Sequence, residues 1–350
     1  MPINDKKLED FLNKTLSDLG GAISSSMVIV GEKLGFYKAM AGAGSLTSEQ
    51  LSKKTGVIER YVREWLNNQA AGGYLTYDPV AQTFTLPDEH AACLADENSP
   101  NFLLGAFQIF TSLAKDDSKI IDAFKRGKGI PWGDHDCGLY EGTERFFRTG
   151  YSANLVNTWI PSLVGVADKL KSGAKVADIG CGHGASTIIM AQAFSESEFI
   201  GFDYHKPSIN VARKRAKEAG VDNLKFELAE STNFPGKNYD FVTVFDALHD
   251  MGNPIGAATH TFKSLKSDGT WMVVEPFASD KIEENHNPIG RIFYGASSFV
   301  CVPCSIATSG PALGAQAGPK KLEQVIKSGG FTKFRIATTN PFNMVLEANP

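Results

Sequence analysis

The 350-residue sequence predicts an α/β fold, in which a mostly parallel sheet is covered by helices and follows a mostly helical N-terminal domain. From about residue 172 onward, strand-like and helix-like segments alternate, which is typical of a parallel sheet with helices on both faces. In the first half, apolar residues recur at helical spacing and one short stretch alternates as a hairpin does. The length exceeds that of an average domain, so we expect a chain of more than one domain.

Seven strands are expected in the second half. The last two, 331–337 and 344–348, are separated by the turn-rich TTNPFN, which is too short for a helical crossover, so they should pair antiparallel. The helix after Asp203 is punctuated by Pro207 near its start and Gly220 past its end. The five preceding strands are expected near Lys175–Ile179, Glu198–Phe202, Leu224–Leu228, Asp240–Phe245 and Thr270–Glu275.

The N-terminal half contains one recognisable unit. The run Thr47–Gln50 is a capping box that opens a helix ending by Gly56, and a second helix stops at Gly72. Residues Tyr74–Pro87 then alternate around a turn, as a small β-hairpin does. Helix, helix and hairpin make a winged-helix arrangement. The second helix should bury one apolar face, formed by Ile58, Tyr61, Val62, Trp65, Leu66 and Ala70.

A winged helix suggests DNA binding, but the charge of this one argues against it. Between Ser45 and Leu86 four basic residues are balanced by four acidic ones, and the hairpin has no Lys or Arg. Affinity for duplex DNA comes largely from neutralising phosphates, so DNA is not an expected partner. The apolar helices around 11–19 and 27–40 offer more hydrophobic surface than this unit can cover, so we expect a dimerisation module.

The amino-acid composition is typical of a soluble globular protein. The hydrophobic fraction is 42% and the net charge is −4, which gives no electrostatic reason to expect nucleic acid or an anionic membrane as a partner. The five cysteines and the lack of a signal-peptide pattern in the first ten residues predict a cytoplasmic protein without a disulfide framework. The apolar stretch Asn101–Ala114 is too short to cross a bilayer.

The most informative motif is VADIGCGHG, which runs from Val176 to Gly184 and is followed by an isolated acid, Asp203, after the apolar run FIGF. Glycines without a Cβ let the chain turn tightly and bring backbone N–H groups against a ligand at the next helix's N-terminus. An acid at the end of the second strand can accept hydrogen bonds from both ribose hydroxyls of a nucleotide. The spacing G-x-G-x-G only partly matches G-x-G-x-x-G, the fingerprint of loops that bind the pyrophosphate of a dinucleotide.

This motif resembles the first motif, D/E-x-G-x-G-x-G, of the class I S-adenosylmethionine-dependent methyltransferases. The resemblance implies a Rossmann-like doubly wound seven-stranded sheet with a terminal antiparallel hairpin, and S-adenosylmethionine as cofactor. It assigns the adenine contact to the end of the third strand and the methionine contact to the end of the fourth. The expected cofactor-binding residues are Asp178, Gly180, Gly182, Gly184, Asp203, Tyr204, Glu230, Ser231 and Phe245.

A winged helix followed by this fold resembles the small-molecule O-methyltransferases of plant and antibiotic pathways. The resemblance implies a homodimer formed through the N-terminal domain and a small-molecule methyl acceptor. We expect a winged-helix-like dimerisation domain at 1–95, a helical linker over the active site at 96–165, and an S-adenosylmethionine-binding domain at 166–350.

The fourth strand ends in VFDALHDM, where His249 and Asp250 match a His-Asp pair whose histidine is the general base in the plant-type enzymes. A histidine that titrates near neutrality suits removal of a hydroxyl proton. His249 could equally hydrogen-bond a loop, and either Asp250 or Glu275 could orient its ring. Asp246 and Glu275 supply only two candidate metal ligands, so no catalytic metal is expected.

Substrate contacts are predicted from two regions. The linker carries aromatic residues, among them Trp132, Phe146 and Phe147, which either enclose an apolar acceptor or pack between domains. The insertion 277–319 carries Arg291, Tyr294 and Ser298 at helical spacing, either as a polar stripe toward a substrate or on an ordinary amphipathic helix. Cys301 and Cys304 have no second cluster of zinc spacing and receive no metal or redox role.

The sequence therefore predicts transfer of a methyl group from S-adenosylmethionine to a hydroxyl of a small, apolar or aromatic metabolite. Two alternatives stay open. One is N- or C-methylation of a similar molecule, in which His249 would be less necessary. The other is a catalytically silent cofactor-binding transcriptional regulator whose winged helix contacts DNA. The identity of the acceptor does not follow from one sequence.

Overall fold

The computed structural model describes residues 3–350 and divides the chain into two compact units. One unit comprises the chain up to Lys115 together with Asp136–Thr149, and the other comprises Asp116–His135 and Gly150–Pro350. The segment 96–165, predicted as a linker, thus contributes to both units. The longer helices are α1 (Asp5–Lys33), α2 (Phe36–Met40), α3 (Ser48–Thr55), α4 (Glu59–Ala71), α5 (Asp88–Leu94), α6 (Leu104–Leu113), α7 (Asp117–Arg126), α8 (Cys137–Asn154), α9 (Val166–Ser172), α10 (Ala185–Ala193), α11 (Lys206–Glu218), α12 (Pro254–Ser264), α13 (Pro288–Ala296), α14 (Val302–Ala307) and α15 (Pro319–Ser328).

The first unit contains the predicted winged helix. Thr47 caps α3 through a reciprocal capping box with Gln50, as the sequence predicts. The hairpin forms from β1 (Thr76–Asp78) and β2 (Thr83–Thr85), which pair antiparallel. The prediction of a buried apolar face on α4 is only partly confirmed. Its centre is buried at Val62, Trp65 and Leu66, whereas Ile58 and Tyr61 are 68% and 72% exposed.

The predicted sheet is confirmed in the second unit. Seven strands lie in the order β5-β4-β3-β6-β7-β9-β8. Neighbouring strands from β5 to β7 run parallel, and β9 is antiparallel to both β7 and β8, which gives the terminal hairpin. The strands are β3 (Lys175–Ile179), β4 (Glu198–Asp203), β5 (Leu224–Leu228), β6 (Tyr239–Phe245), β7 (Leu265–Pro276), β8 (Lys333–Thr339) and β9 (Asn343–Asn349).

The sheet is the core of the second unit. The central strands are buried almost throughout because side chains on both of their faces pack under helices. Helices α12 and α15 supply apolar residues to a cluster that contains Val242, Val273, Ala258 and Leu322. Since β3, β4, β6 and β7 are parallel, their carboxyl ends meet at one edge of the sheet, where a doubly wound fold binds its ligand.

One helical run in the described chain, Pro288–Ala307, is long and apolar enough to cross a membrane by length and composition. Core helices of soluble proteins pass the same test, and this run contains α13, a π-helical turn at Ser297–Cys301 and α14, which pack in the second unit. All five cysteines are free thiols. Cytoplasmic localisation stays a prediction.

Candidate active site

The glycine loop joins β3 to α10 at the carboxyl edge of the sheet. Its start is fixed to β4, because the N–H groups of Gly180 and Cys181 donate to the carbonyl oxygen of Phe202 at 2.8 and 3.1 Å. Gly184 has φ +82°, and a Cβ there would lie 2.5 Å from the Phe226 ring. Only glycine fits this position, since both the backbone angle and the space exclude a side chain.

The structure brings the loop and Asp203 together, as the motif predicts. The N–H of Gly182 donates to Oδ2 of Asp203 at 2.9 Å, and the N–H of His205 donates to Oδ1 at 2.7 Å. Burial raises the pKa of this carboxyl, while both backbone hydrogen bonds oppose the rise. Each oxygen keeps a further lone pair for a ligand, and the residue is partly exposed. Asp203 is thereby held in one orientation.

Asp178, at the end of β3, is enclosed by three side-chain hydroxyl groups. Its side chain is fully buried, so its carboxylate does not face the site that Asp203 borders. Oδ2 accepts hydrogen bonds from Ser186 and Thr187 at 2.7 and 2.6 Å, and Oδ1 accepts one from Thr243 at 2.8 Å. Burial raises its pKa to about 6. Asp178 thus ties β3 to the start of α10 and to β6, and cofactor binding by this residue stays a prediction.

The other expected cofactor residues lie around Asp203. Tyr204 follows it directly and is 57% exposed. The N–H of Ala229 donates to the Asp203 carbonyl oxygen at 3.1 Å, which places the exposed Glu230 and the half-buried Ser231 beside the end of β4. These positions form a border on one side of the glycine loop.

Asp246 follows the expected residue Phe245 in a strained backbone conformation with φ +49°. Its side chain is held by the Tyr151 hydroxyl, which donates to Oδ2 at 3.1 Å, and by the Asn343 amide, which donates to Oδ1 at 2.9 Å. Burial and the charge of Glu275 raise its pKa to about 8. The ring of Tyr151 also packs 5.1 Å from that of Phe245, centroid to centroid.

His249 and Glu275 form a buried pair. Nδ1 of His249 lies 2.5 Å from Oε2 of Glu275, and Oε1 accepts the N–H of Leu248 at 2.9 Å. His249 is 3% and Glu275 1% exposed. Burial disfavours the imidazolium, but the charge of Glu275 and the neighbouring Cys301 favour it more strongly, so the pKa of His249 is raised well above its ordinary value. Of the two alternatives for the orienting acid, Glu275 makes the contact.

The second imidazole nitrogen of His249 contacts a residue to which sequence reasoning gave no role. Nε2 lies 3.2 Å from Sγ of Cys301, which ends the π-helical turn of the insertion. The two residues are 52 positions apart, so no local pattern pairs them. The sole signal was a Cys-x-x-Cys spacing in the segment expected at the pocket edge.

Part of the linker lies against the same edge. In the loop 129–134, which includes Trp132, the N–H of Ile130 donates to the Pro303 carbonyl oxygen at 3.0 Å. A Cβ at Gly133 would lie 3.4 Å from Nε2 of His205, two residues past Asp203. This loop therefore runs between the insertion and the end of β4. Phe146 belongs to the first unit, and its ring packs on Phe147 with centroids 5.2 Å apart.

The expected polar stripe of the insertion lies on α13 and the π-helical turn. Arg291 and Tyr294 are exposed, and Ser298 donates its hydroxyl to the Tyr294 carbonyl oxygen at 2.9 Å. The structure does not bring these three residues into contact with His249. Within residues 3–350 no group of three or more His, Cys, Asp or Glu side chains is arranged to hold a metal ion.

Comparison with known families decides the class of the second unit. Residues 170–330 match a family model described as a methyltransferase domain, and residues 22–96 match one described as an Rv2258c-like winged HTH domain. The chain carries a methyltransferase domain. This methyltransferase domain has the class I Rossmann-like sheet described above, and it indicates S-adenosylmethionine as the cofactor.

Relatives of the methyltransferase domain agree in class. An uncharacterized methyltransferase of Bacillus subtilis (strain 168) is 33% identical over 34% of this chain. A fatty-acid O-methyltransferase of Mycolicibacterium smegmatis is 32% identical over 22% of it. The chain spans 47% and 28% of the lengths of these two relatives.

The whole fold has a close counterpart among solved structures. The human N-acetylserotonin methyltransferase, solved with S-adenosylmethionine, superposes with a TM-score of 0.73 and covers 100% of this chain and 99% of its own. Its sequence is 14% identical, so the likeness concerns the fold.

Proposed function

We propose that this protein transfers a methyl group from S-adenosylmethionine to a hydroxyl of a small, apolar or aromatic metabolite. The observation that carries the proposal is the buried pair of His249 and Glu275, at the same sheet edge as the glycine loop and Asp203. A methyltransferase that acts on a hydroxyl needs a group that removes a proton, and this pair supplies one beside the cofactor edge.

The residues present fit the cofactor. Gly182 has φ +52°, and no atom lies within 4 Å of the place where its Cβ would be, so the loop leaves open space beside Asp203. Asp203 would accept the ribose hydroxyls, Glu230 and Ser231 would border the adenine, and Phe245 would border the methionine portion. When bound, the cofactor supplies an electrophilic methyl group on a positively charged sulfur.

His249 would take the acceptor's proton at Nε2, the nitrogen that faces away from Glu275. The carboxylate of Glu275 stabilises the imidazolium that forms and fixes the ring, because its other oxygen is held by the Leu248 N–H. A general base of this kind contributes roughly 10²–10⁴ in rate. A raised pKa makes the imidazole a stronger base, and the neutral fraction that can act increases with pH.

An apolar or aromatic acceptor is supported by the surroundings and by the relatives. Trp132 lies on the loop that runs between the insertion and the end of β4, and the insertion contains the long, apolar helical run Pro288–Ala307. One relative is named for a fatty acid, and a structural neighbour is named for N-acetylserotonin. Large hydrophobic and aromatic side chains with a few polar groups are what small-molecule pockets use.

The proposal is tested with purified full-length protein, S-adenosylmethionine and a panel of long-chain fatty acids, phenols and matched amines. Mass spectrometry would follow methylated products and S-adenosylhomocysteine. We expect methylation of at least one hydroxyl-bearing compound and none of its matched amine. Methylation confined to amines would contradict O-methylation and favour the N-methyltransferase alternative.

We also propose a homodimer formed through α1. This helix has 29 residues and exposes large apolar side chains at alternating three- and four-residue steps, which is the spacing of a helix that packs on another helix. A second copy of the chain is the simplest occupant because one stripe can pair with itself about a two-fold axis. The stripe comprises Leu12, Leu16, Leu19 and Ile23, which are 52%, 65%, 61% and 62% exposed.

Light scattering after size exclusion tests this proposal. The wild type should elute as a dimer, and Leu16→Asp combined with Leu19→Asp should elute as a monomer because charge is placed in the stripe. Val80→Asp is the matched control, since Val80 is 93% exposed on the hairpin of the winged helix. A monomeric wild type, or a double variant that stays dimeric, would contradict the α1 interface.

A further inference from the structure

The contact between Cys301 and His249 extends the buried pair into a row of three reactive side chains. Sγ of Cys301 lies 3.2 Å from Nε2 of His249, and Nδ1 of the same ring lies 2.5 Å from Glu275. A nucleophile beside a base, with the base oriented by an acid, is the arrangement that activates side-chain nucleophiles in enzymes. Removal of a proton from a methyl acceptor by His249 does not require a thiol at this place.

The local backbone explains how the thiol reaches the imidazole. Ser297–Cys301 is a π-helical turn between α13 and α14, and such turns are frequently found at functional sites. The short 3₁₀ turn that carries His249, Leu248–Asp250, packs against both this turn and α14. The side chain of Cys301 is thereby held on the ring of His249.

Cys304 provides an internal comparison. It lies three residues further along the same run and has the same exposure as Cys301, 8%. Burial raises its pKa, and the charges of Asp250 and Cys301 raise it further. Burial of a thiol without a base makes it inert. The two cysteines thus share access and differ in their neighbours.

We infer that Cys301 is a nucleophilic thiol and the site of covalent modification by small, soft electrophiles. In the reaction with an alkyl halide, Sγ of Cys301 attacks the carbon and a carbon–sulfur bond forms as the carbon–halogen bond breaks. Halide leaves, and the thiol proton moves to Nε2 of His249 in the neutral form of the ring, whose Nδ1–H faces Glu275. Glu275 stabilises the imidazolium, so no other reactant is required. Cys304 has no such route.

The modification also has a consequence for methyl transfer, which depends on the proposed function. An alkyl group on Cys301 would stand beside Nε2 of His249, the atom that is to receive the acceptor's proton. Alkylation should therefore abolish turnover and leave cofactor binding at Asp203 intact. The labelling itself is independent of any methyltransferase activity.

The test is labelling of the folded full-length protein with iodoacetamide, followed by peptide mass spectrometry over time. We expect Cys301 to be alkylated at least about tenfold faster than Cys304, because Nε2 of His249 lies 3.2 Å from its sulfur and can accept the thiol proton as the carbon–sulfur bond forms. His249→Gln should slow labelling of Cys301 about tenfold or more, since the base is removed. The exposed Cys137 serves as the internal reference for reagent quality, and its labelling should be unchanged.

Two controls accompany the labelling: a measurement of folding and a variant of Cys304. Thermal unfolding would show whether His249→Gln is folded; if it is not, Glu275→Gln replaces it and should also slow labelling. Cys304→Ser should leave the rate at Cys301 unchanged. Equal rates at Cys301 and Cys304, or a rate at Cys301 that is unaffected in a folded His249→Gln or Glu275→Gln protein, would overturn the inference. Fast labelling of Cys301 without any methyl transfer would sustain it and refute only the proposed function.

Discussion

Glu275 reaches His249 from the neighbouring strand, with 2.5 Å between Oε2 and Nδ1. The acid lies near the end of β7, and the histidine follows β6. These strands pair in parallel, with Phe245 opposite Val274. Glu275, the next residue of β7, therefore lies beside the segment that follows β6 and carries His249. The Leu248 N–H holds the second carboxylate oxygen at 2.9 Å. The ring orientation is therefore set by the sheet itself.

Replacing the base tests its role directly. His249→Ala should lower turnover at least about a hundredfold, because general-base catalysis contributes roughly 10²–10⁴. Cofactor affinity, measured by calorimetry, should remain nearly unchanged, since the glycine loop and Asp203 are intact. His286→Ala, at an exposed histidine, is the control. Turnover close to wild type in His249→Ala would remove His249 from the mechanism.

The pH dependence of the rate should report the charge on Glu275. His249 acts in its neutral form, so turnover should rise with pH through its pKa. Burial lowers that pKa and is unchanged in Glu275→Gln, whereas the charge of Glu275 raises it and is lost. The acidic limb of the profile should therefore move down by about one pH unit or more. Glu284→Gln, at an exposed acid, should leave the limb in place, and an unmoved limb in Glu275→Gln would contradict this coupling.

Asp246 should make the fold less stable as pH rises. The pKa of the folded carboxyl is raised from 3.8 to about 8, so between these values the unfolded chain has released a proton that the folded chain retains. The free energy of unfolding then falls with increasing pH over that range. Asp178 and Asp250, raised to about 6 and about 7, act in the same direction.

Urea unfolding between pH 4 and pH 8 checks this dependence. Asp246→Asn cannot titrate, so its free energy of unfolding should fall less steeply with pH than that of the wild type. Asp222→Asn, at an exposed acid, should keep the wild-type slope. Identical slopes in Asp246→Asn and the wild type would show that Asp246 does not retain its proton in the folded state.

Gly184 should be the least replaceable glycine of the loop. Gly184→Ala places a Cβ 2.5 Å from the Phe226 ring at φ +82°, so it should destabilise the protein by more than about 1 kcal/mol. Gly20→Ala is the matched control, because no atom lies within 4 Å of a Cβ in the middle of α1. It should be stabilising by about 0.5–1 kcal/mol. Equal unfolding midpoints for the two variants would contradict the steric argument.

The sheet could be predicted because its signals are local. Apolar runs, glycines and prolines mark β3 to β6 within one or two residues, and the short TTNPFN turn indicates the antiparallel hairpin. β7 begins at Leu265, earlier than the predicted Thr270, because Lys266–Gly269 are polar and carry no strand pattern. Asp203 and the glycine loop could be placed together because parallel strands end at one edge.

The partners within the site could not be predicted, since they come from distant parts of the chain. Tyr151 and Asn343, which hold Asp246, are 95 and 97 residues from it, and Cys301 is 52 residues from His249. The motif also does not show that the hydroxyls of Ser186, Thr187 and Thr243 enclose the carboxylate of Asp178. The exposed Ile58 and Tyr61 match helical spacing but lie at the edge of the buried face of α4.

Calorimetric titration with S-adenosylmethionine, on the wild type and on Asp203→Ala, tests the central claim most directly. Loss of two hydrogen bonds to a carboxylate, at roughly 1.5–3 kcal/mol each, should weaken binding at least about a hundredfold. Thermal unfolding would confirm that the variant is folded without the Gly182 and His205 contacts. We predict a clear binding heat for the wild type and its near disappearance in Asp203→Ala. No heat with the wild type, or equal affinity in the two proteins, would contradict the account.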